Sequence, residues 1–311
     1  MGTHPIEELL PRKTDQILQL ALDAYSSSID EVVNFGTHII LWDYKKKRDG
    51  KDNHIPTLFL RNIIEIGDSI SILIKSSSID PSKILIRSLL ENFFQLLYML
   101  EKDEKERAQC FMIYKAVNDL KYYKKFISSD PSSKGLFSKL EKDQSDFDIT
   151  NLLDRDDFIK AIESKSSILK KPEFKDVYEE YLRTKKIGNG RNPNWYSLYD
   201  GPKNIEQLST HLRRVYYYEF FYRSFSQNVH ISDLFKGLAL VGIDKAQMIQ
   251  IRDFEDCHTV FIATNKILLA LFIEYVQKRI PERNQEFRFW FNSFYPEYDK
   301  LVQKGQIKYK K

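Results

Sequence analysis

Apolar residues recur at intervals of three and four along most of this chain, and few glycines or prolines interrupt them. Only 10 prolines and 11 glycines occur among 311 residues, whereas a β-sandwich or a β-barrel needs a turn after every short strand. The pattern therefore predicts an all-α protein, with antiparallel helices in a bundle around one core. With 42% hydrophobic and 14% aromatic residues, the chain has enough apolar surface to build such a core.

Charged and irregular stretches divide the predicted helices into three parts. Residues 1–54 form an amino-terminal helical extension, residues 55–280 form the helical core domain, and residues 281–311 form an aromatic-rich helix with a basic tail. The core domain contains the longest irregular stretch, residues 188–204, which we expect Trp195 to anchor. The main helices predicted for the core domain run over residues 56–74, 83–100, 105–126, 205–230 and 244–278.

The charge balance and the two cysteines narrow the class of protein. With 48 basic and 44 acidic residues the formal charge is +4, too close to balance to indicate nucleic-acid binding by itself. Cys110 and Cys257 lie outside any Cys-x-x-Cys motif, which predicts free thiols in a reducing compartment. The amino terminus lacks a secretory signal and the apolar runs are too short to span a bilayer. We therefore predict a cytoplasmic protein that contacts no membrane.

An ion pair is predicted on the most apolar helix in the first half of the chain, KILIRSLLENFFQLLYML. Arg87 and Glu91 are four residues apart on it and therefore face the same way. A charge that is buried without a partner costs several kcal/mol, so each of these groups must find partners. We expect the pair to lie at a polar centre within the core.

The stretch from Tyr216 to Ser232, YYYEFFYRSFSQNVHIS, is the main candidate for chemistry. A helix here would place Glu219, Arg223, Ser226 and His230 in one polar row beside an apolar row. Histidine is the natural acid or base near neutral pH, and arginine stabilises charge on phosphoryl oxygens. Alternatively, Glu219 pairs with Arg223 and His230 forms a hydrogen bond in the core. The apolar row consists of Tyr218, Tyr222, Phe225 and Val229.

Two of these segments resemble a bacterial family of helical proteins of unknown function. YRSFSQNVHIS is similar to its Tyr-Arg-x-Leu-Ser-x-x-Val-His-x-Ser signature, and IRSLLENFFQLLYML is similar to its Arg-x-x-x-Glu helix. With RAQCFMIY between them, the likeness covers about residues 55–235. The resemblance implies a shared polar centre lined by Arg87, Glu91, Arg223, Ser226 and His230.

A second resemblance is to HEPN-type helical ribonucleases and toxins, whose motif is an arginine, usually followed by a polar residue, with four to six residues between the arginine and a histidine. Arg223 and His230 fit the spacing, although Ser224 replaces the usual Asn, Asp or His. The segment RDFEDCH, with Arg252 and His258, fits better and is the alternative pair. Its other interpretation is a surface pair among acidic residues. RDGKDNH at residues 48–54 fits the same pattern inside a predicted loop, so the pattern alone is unspecific.

The HEPN resemblance implies metal-independent cleavage of RNA by a cytoplasmic toxin, with a role in defence against phage. It also implies a homodimer and a neutralising or regulatory protein partner. No metal or other cofactor is expected, because the six histidines lack zinc-ligand spacing and no Gly-rich loop ends in Gly-Lys-Ser/Thr. The alternative function is a non-catalytic helical module that binds a protein partner or a small ligand.

Overall fold

The computed structural model describes residues 9–11, 15–48, 53–143, 151, 153–226, 237–240 and 246–303. Over these residues the protein is an all-α helical bundle, as predicted, apart from one pair of short antiparallel strands. The helices are α1 (Gln16–Lys45), α2 (Ile55–Lys75), α3 (Ile79–Glu101), α4 (Glu104–Tyr123), α5 (Pro131–Lys142), α6 (Asp156–Lys170), α7 (Lys175–Ile187), α8 (Ile205–His211), α9 (Cys257–Arg279) and α10 (Asn284–Gln303). The strands are β1 (Leu238–Leu240) and β2 (Ala246–Met248).

The chain divides into two compact units. One consists of residues 1–101 and 208–311, and the other of residues 102–207. This grouping differs from the predicted division at residues 54 and 280, because α1 and α10 pack with α9 in the same unit. We call the two units the bundle unit and the inserted unit.

Four helices of the bundle unit form its core: α1 packs on α2, α2 on α3, α3 on α9, and α9 on α1. Contacts at the two ends fix the helix directions. Asp43 near the end of α1 contacts Thr57 at the start of α2 and Arg279 at the end of α9. At the other end, Lys83 in the first turns of α3 pairs with Asp256, which precedes α9. Consecutive helices α1, α2 and α3 are therefore antiparallel, while α9 runs in the direction of α1 and α3.

A buried polar cluster around Asp43 joins three of these helices, and the sequence analysis did not predict it. The Asp43 carboxylate is 0% exposed. It accepts hydrogen bonds from Thr57 Oγ1 at 2.5 Å, Tyr275 Oη at 2.7 Å and Arg279 Nη2 at 2.8 Å. Arg48 also donates to it. Burial raises the pKa of this carboxyl, but its hydrogen bonds and the charge of Arg279 outweigh burial and leave the pKa lowered.

Helix α9 is the central helix of the bundle unit, with buried residues on all sides. Among the helices that the structure describes, it alone is long and apolar enough to cross a membrane by length and composition; 67% of its most apolar window is buried inside the protein. Gly36 of α1 permits a close approach here, because a Cβ atom at this position would collide with Ile64 of α2 and Phe272 of α9.

Two predicted helix boundaries in the carboxyl-terminal half are wrong. The predicted helix over 205–230 stops at His211, because Arg213 adopts a left-handed conformation with φ 56° and the Arg214 N–H bonds to the Ser209 carbonyl. The predicted helix from Asp244 begins only at Cys257. Asp244 itself lies outside the described residues. Met248 and Ile251, which fall within the predicted helix, are 68% and 61% exposed.

In the inserted unit, α4 packs against α6 and α7 and against the loop at residues 188–204. Trp195 anchors this loop as predicted: it is 2% exposed, and its ring meets that of Phe111 edge-on at 6.0 Å between centroids. Glu180 of α7 holds the end of the loop, since its Oε1 accepts a hydrogen bond from the Tyr199 N–H at 2.8 Å. Cys110 here and Cys257 in the bundle unit are buried, free thiols, as predicted.

Candidate catalytic site

Residues 215–226 form one helical run that packs on α3. It consists of an α-helical turn, Val215–Tyr217, a π-helical stretch, Tyr218–Arg223, and a second α-helical turn, Ser224–Ser226. Phe221 and Phe225 are its buried anchors. A π-helical stretch adds a residue to the turn and so rotates the side chains that follow it, relative to a straight α-helix. We call this run the 215–226 helix.

Tyr222, which lies within the π-helical stretch, belongs to the polar centre rather than to the predicted apolar row. Its hydroxyl donates a hydrogen bond to Glu91 Oε1 at 2.8 Å and accepts one from Arg87 Nε at 3.2 Å. Arg87 and Glu91 also pair directly at 3.3 Å, as their spacing on α3 predicted. The Arg87 guanidinium lies 5.0 Å from the centroid of the Tyr222 ring, within the range of a cation–π contact.

Tyr222 and Arg87 are both held in their ordinary protonation states at this site. Burial raises the pKa of Tyr222 to about 12, and the hydrogen bond to the Glu91 carboxylate adds to the effect. The phenol therefore keeps its proton at neutral pH and acts as a donor to Glu91. Burial opposes the charge of Arg87, but hydrogen bonds to Tyr222 and Glu91 outweigh it and raise the guanidinium pKa. The site is a fixed, partly exposed ionic network, since the Arg87 and Glu91 side chains are 25% and 36% exposed.

Arg223, the next residue, is directed toward solvent. Its side chain is 58% exposed and pairs with Glu219 at 3.1 Å, which is the alternative that the sequence left open for these two residues. The guanidinium also lies 5.7 Å from the centroid of the Tyr218 ring. A guanidinium in this position is accessible to a phosphate of a ligand.

Ser226 and His230 are the remaining residues of the predicted polar row. The Ser226 hydroxyl donates to the Tyr222 carbonyl at 2.5 Å, so it satisfies the backbone where the π-helical stretch ends. His230 lies outside the described residues. Tyr222 is the site residue that sequence reasoning missed, and the only signal for it was its position directly before Arg223 in the Tyr-Arg motif.

The two residues of the alternative pair, Arg252 and His258, make separate structural contacts. Arg252 precedes α9 rather than lying within it, and it donates to the Ser76 carbonyl at the end of α2. His258 is half-buried against Tyr25, and its Nε2 lies 3.2 Å from the Leu301 carbonyl of α10. These contacts give both side chains a role in joining helices of the bundle unit. In the part of the chain that the structure describes, no three His, Cys, Asp or Glu residues lie together in a group that could hold a metal ion.

The comparisons with known proteins agree with the first resemblance. The model of the family described as "Family of unknown function (DUF5677)" matches residues 53–240. This range is more than half of the chain and includes Arg87, Glu91, Tyr222, Arg223, Ser226 and His230. No curated protein matches the chain, and no solved structure matches it.

Replacing Tyr222 with phenylalanine is expected to lower the free energy of unfolding by about 0.5–1.5 kcal/mol, because the variant loses a hydroxyl that both donates and accepts. The measurement is urea unfolding followed by circular dichroism. Tyr218→Phe is the matched control: this ring stacks on Tyr222 at 5.1 Å, and no hydrogen bond of its hydroxyl occurs among the described residues. Equal effects of the two substitutions would contradict a specific role for the Tyr222 hydroxyl.

Proposed function

Because this chain belongs to DUF5677, a family of unknown function, its activity has to be argued from its own residues, and we propose that it is a metal-independent endoribonuclease. Arg223 and His230 are the catalytic residues of this proposal. Arg87, Glu91 and Tyr222 are positioning residues that hold the 215–226 helix on α3. The proposal needs no metal and no other cofactor.

One observation carries the proposal: the Tyr222 hydroxyl joins the Arg-x-x-x-Glu helix to the Tyr-Arg segment, while the neighbouring Arg223 remains exposed. Two motifs that are more than 130 residues apart in the sequence are thus joined by one network. The exposed guanidinium pairs with a surface carboxylate, Glu219. An exposed pair of this kind contributes little to stability and is readily exchanged for a phosphate.

The proposed reaction uses the ribose 2′-hydroxyl as the nucleophile. It attacks the adjacent phosphorus, the bond from phosphorus to the 5′-oxygen of the next nucleotide breaks, and the products are a 2′,3′-cyclic phosphate and a 5′-hydroxyl. His230 accepts the proton of the attacking hydroxyl and later releases it to solvent, and the leaving 5′-oxygen takes up a proton from water. Arg223 stabilises the negative charge on the non-bridging phosphoryl oxygens in the transition state.

The proposal also covers setting and partners. We propose a cytoplasmic homodimer that acts as a toxin in defence against phage, restrained by a neutralising or regulatory protein partner and independent of membranes. Two buried, free thiols are compatible with a reducing compartment. The molar mass of the purified chain, measured by light scattering, tests the dimer directly: a monomer at all concentrations contradicts it.

The catalytic role of Arg223 is tested against a control arginine in a similar surface environment. Arg223→Ala is expected to slow cleavage of mixed RNA in the presence of a chelator by about 10²–10³-fold, the usual effect of removing one donor to a charged transition state. Arg61→Ala is the control, because Arg61 is likewise exposed and pairs at 3.1 Å with a carboxylate four residues away on the same helix. We expect Arg61→Ala to cleave at the parental rate.

The outcome also separates the two functions that the sequence left open. The expected products carry 2′,3′-cyclic phosphates, which distinguishes the proposed reaction from hydrolysis to linear phosphates. If the parent cuts no RNA, the protein is better explained as a non-catalytic helical module that binds a protein partner or a small ligand. If both variants cut as fast as the parent, Arg223 is not a catalytic residue.

A further inference from the structure

A basic cleft in the inserted unit suits a phosphate-bearing ligand. Its volume is about 610 Å³, within the range of sites that bind small molecules and cofactors. Four cationic side chains line it: Lys121, Lys124, Lys185 and Arg191. None of the residues that line the cleft is acidic.

Local helix geometry explains why these side chains converge. Val117, Leu120, Lys121 and Lys124 are spaced at intervals of three, one and three, so they form one face of α4 and of the turn that follows it. Tyr178 and Lys185 are seven residues apart on α7, and therefore also share a face. We call this site the α4–α7 cleft.

The loop after α7 completes the cleft. Gly190 has φ 80°, a conformation that favours glycine, and its N–H bonds to the Lys185 carbonyl at 2.9 Å. The next two residues, Arg191 and Asn192, line the cleft. The Asn192 side chain donates to Asn118 of α4 at 3.2 Å, so the loop is tied to the helix opposite.

Among the described residues, no carboxylate lies within ion-pair distance of Lys121, Lys124, Lys185 or Arg191, so no ion pair within the described part of the chain neutralises the positive charge of the cleft. Two carboxylates on the neighbouring segments are already engaged: Asp119 with Lys115 and Lys165, and Asp130 with the Ser132 N–H. The charge of Lys124 does contribute to the lowered pKa of Asp130, after the hydrogen bonds from Ser132. Four cations around one concave surface attract an anion of more than one charge.

The cleft also has an apolar side, which a bare phosphate would leave uncovered. Val117 and Leu120 of α4, Leu169 of α6 and the ring of Tyr178 supply it. A nucleoside phosphate combines the two properties required, because its phosphate matches the cations and its base has a flat apolar face that stacks on aromatic side chains. We propose that the α4–α7 cleft binds a nucleoside phosphate, either free or within a single strand of RNA.

This inference goes beyond the proposed cleavage and does not depend on it. The test therefore uses ligands that the proposed reaction cannot cut. A fluorescent 2′-O-methyl adenosine decamer lacks the 2′-hydroxyl nucleophile, and its binding to the full chain is measured by fluorescence anisotropy. Adenosine 5′-monophosphate and inorganic phosphate, added as competitors or measured by calorimetry, distinguish a free nucleotide from a strand and from phosphate alone.

Charge reversal in the cleft is expected to weaken binding at least tenfold. Lys121→Glu tests the helical side and Arg191→Glu tests the loop side, so one remains informative if the other fails to fold. The matched control is Lys160→Glu, an exposed lysine of the same unit that does not line the cleft; we expect a change of less than twofold. For decamer binding, Lys121→Ala should make the slope of log K against log salt concentration shallower by about 0.7. This is the value, about 0.7, for one phosphate contact to a single strand.

Binding of the monophosphate that Lys121→Glu and Arg191→Glu weaken assigns the cleft to free nucleotides, and binding of the decamer alone assigns it to an RNA strand. The inference is overturned if neither ligand binds, if inorganic phosphate competes as well as the nucleotide, or if Lys160→Glu weakens binding as much as the cleft variants. Because no step of this test involves RNA cleavage, an inactive nuclease leaves its result unaffected.

Discussion

Asp43→Ala is expected to lower the free energy of unfolding by about 3–5 kcal/mol, because it leaves the buried Arg279 guanidinium without its carboxylate. Thr57 and Tyr275 lose their acceptor in the same substitution. Urea unfolding followed by tryptophan fluorescence measures the change, since Trp42 and Trp290 lie in the bundle unit. Asp68→Ala, at an exposed position of α2, is the control, and its effect should stay within about 0.5 kcal/mol.

The contribution of Asp43 also has a defined pH dependence. Its pKa is lowered in the folded protein, so the unfolded chain binds the proton more readily as the pH falls. The stabilisation is therefore present above the unfolded pKa of about 3.9 and is lost as the pH falls through the folded value. The difference between the parent and Asp43→Ala should narrow below about pH 4. A small, pH-independent difference would contradict the burial of a charged Asp43.

His230→Ala is expected to slow RNA cleavage by about 10²–10⁴-fold, the usual contribution of a general acid or base. The assay is the chelator-treated cleavage of mixed RNA described for Arg223. Unfolding by urea should be unchanged in this variant if the role of His230 is chemical, which separates a catalytic loss from a loss of folded protein.

The control for His230 is the other histidine that the sequence offered. His258→Gln keeps a polar side chain near the Leu301 carbonyl and should leave cleavage unchanged, because the contacts of His258 are structural. A loss of cleavage in His258→Gln but not in His230→Ala would move the active centre to the start of α9. It would then favour the Arg252 and His258 pair.

Local sequence signals predicted most of the helices. They did not predict a helix end that lacks glycine or proline, nor a π-helical stretch. The start of α2 at Ile55 follows from Pro56, and the pairing of Arg87 with Glu91 follows from their spacing. In contrast, Arg213 terminates the helix after His211 in a left-handed conformation that usually requires glycine. The π-helical stretch that contains Tyr222 has no signature in periodicity either.

Contacts between distant parts of the sequence explain the other omissions. Asp43 stands out in the sequence as an acid between Trp42 and Tyr44 near the end of an apolar helix, which indicates burial. Its main partner, Arg279, lies 236 residues away, so no local rule could pair them. The cleft residues Lys121 and Arg191 likewise come from a helix and a loop that only the folded inserted unit brings together.

The inserted unit leaves the bundle unit after Glu101 and the chain returns at Leu208. On the bundle side these two points are joined, since His211 Nε2 lies 2.9 Å from Glu101 Oε2 and the His211 ring meets Tyr98 edge-on. When the two attachment points of an inserted unit are adjacent, the receiving domain can carry insertions of different length or sequence without rearrangement. Residues 102–207 can therefore change in length or sequence while the helices that carry Arg87 and Arg223 keep their geometry.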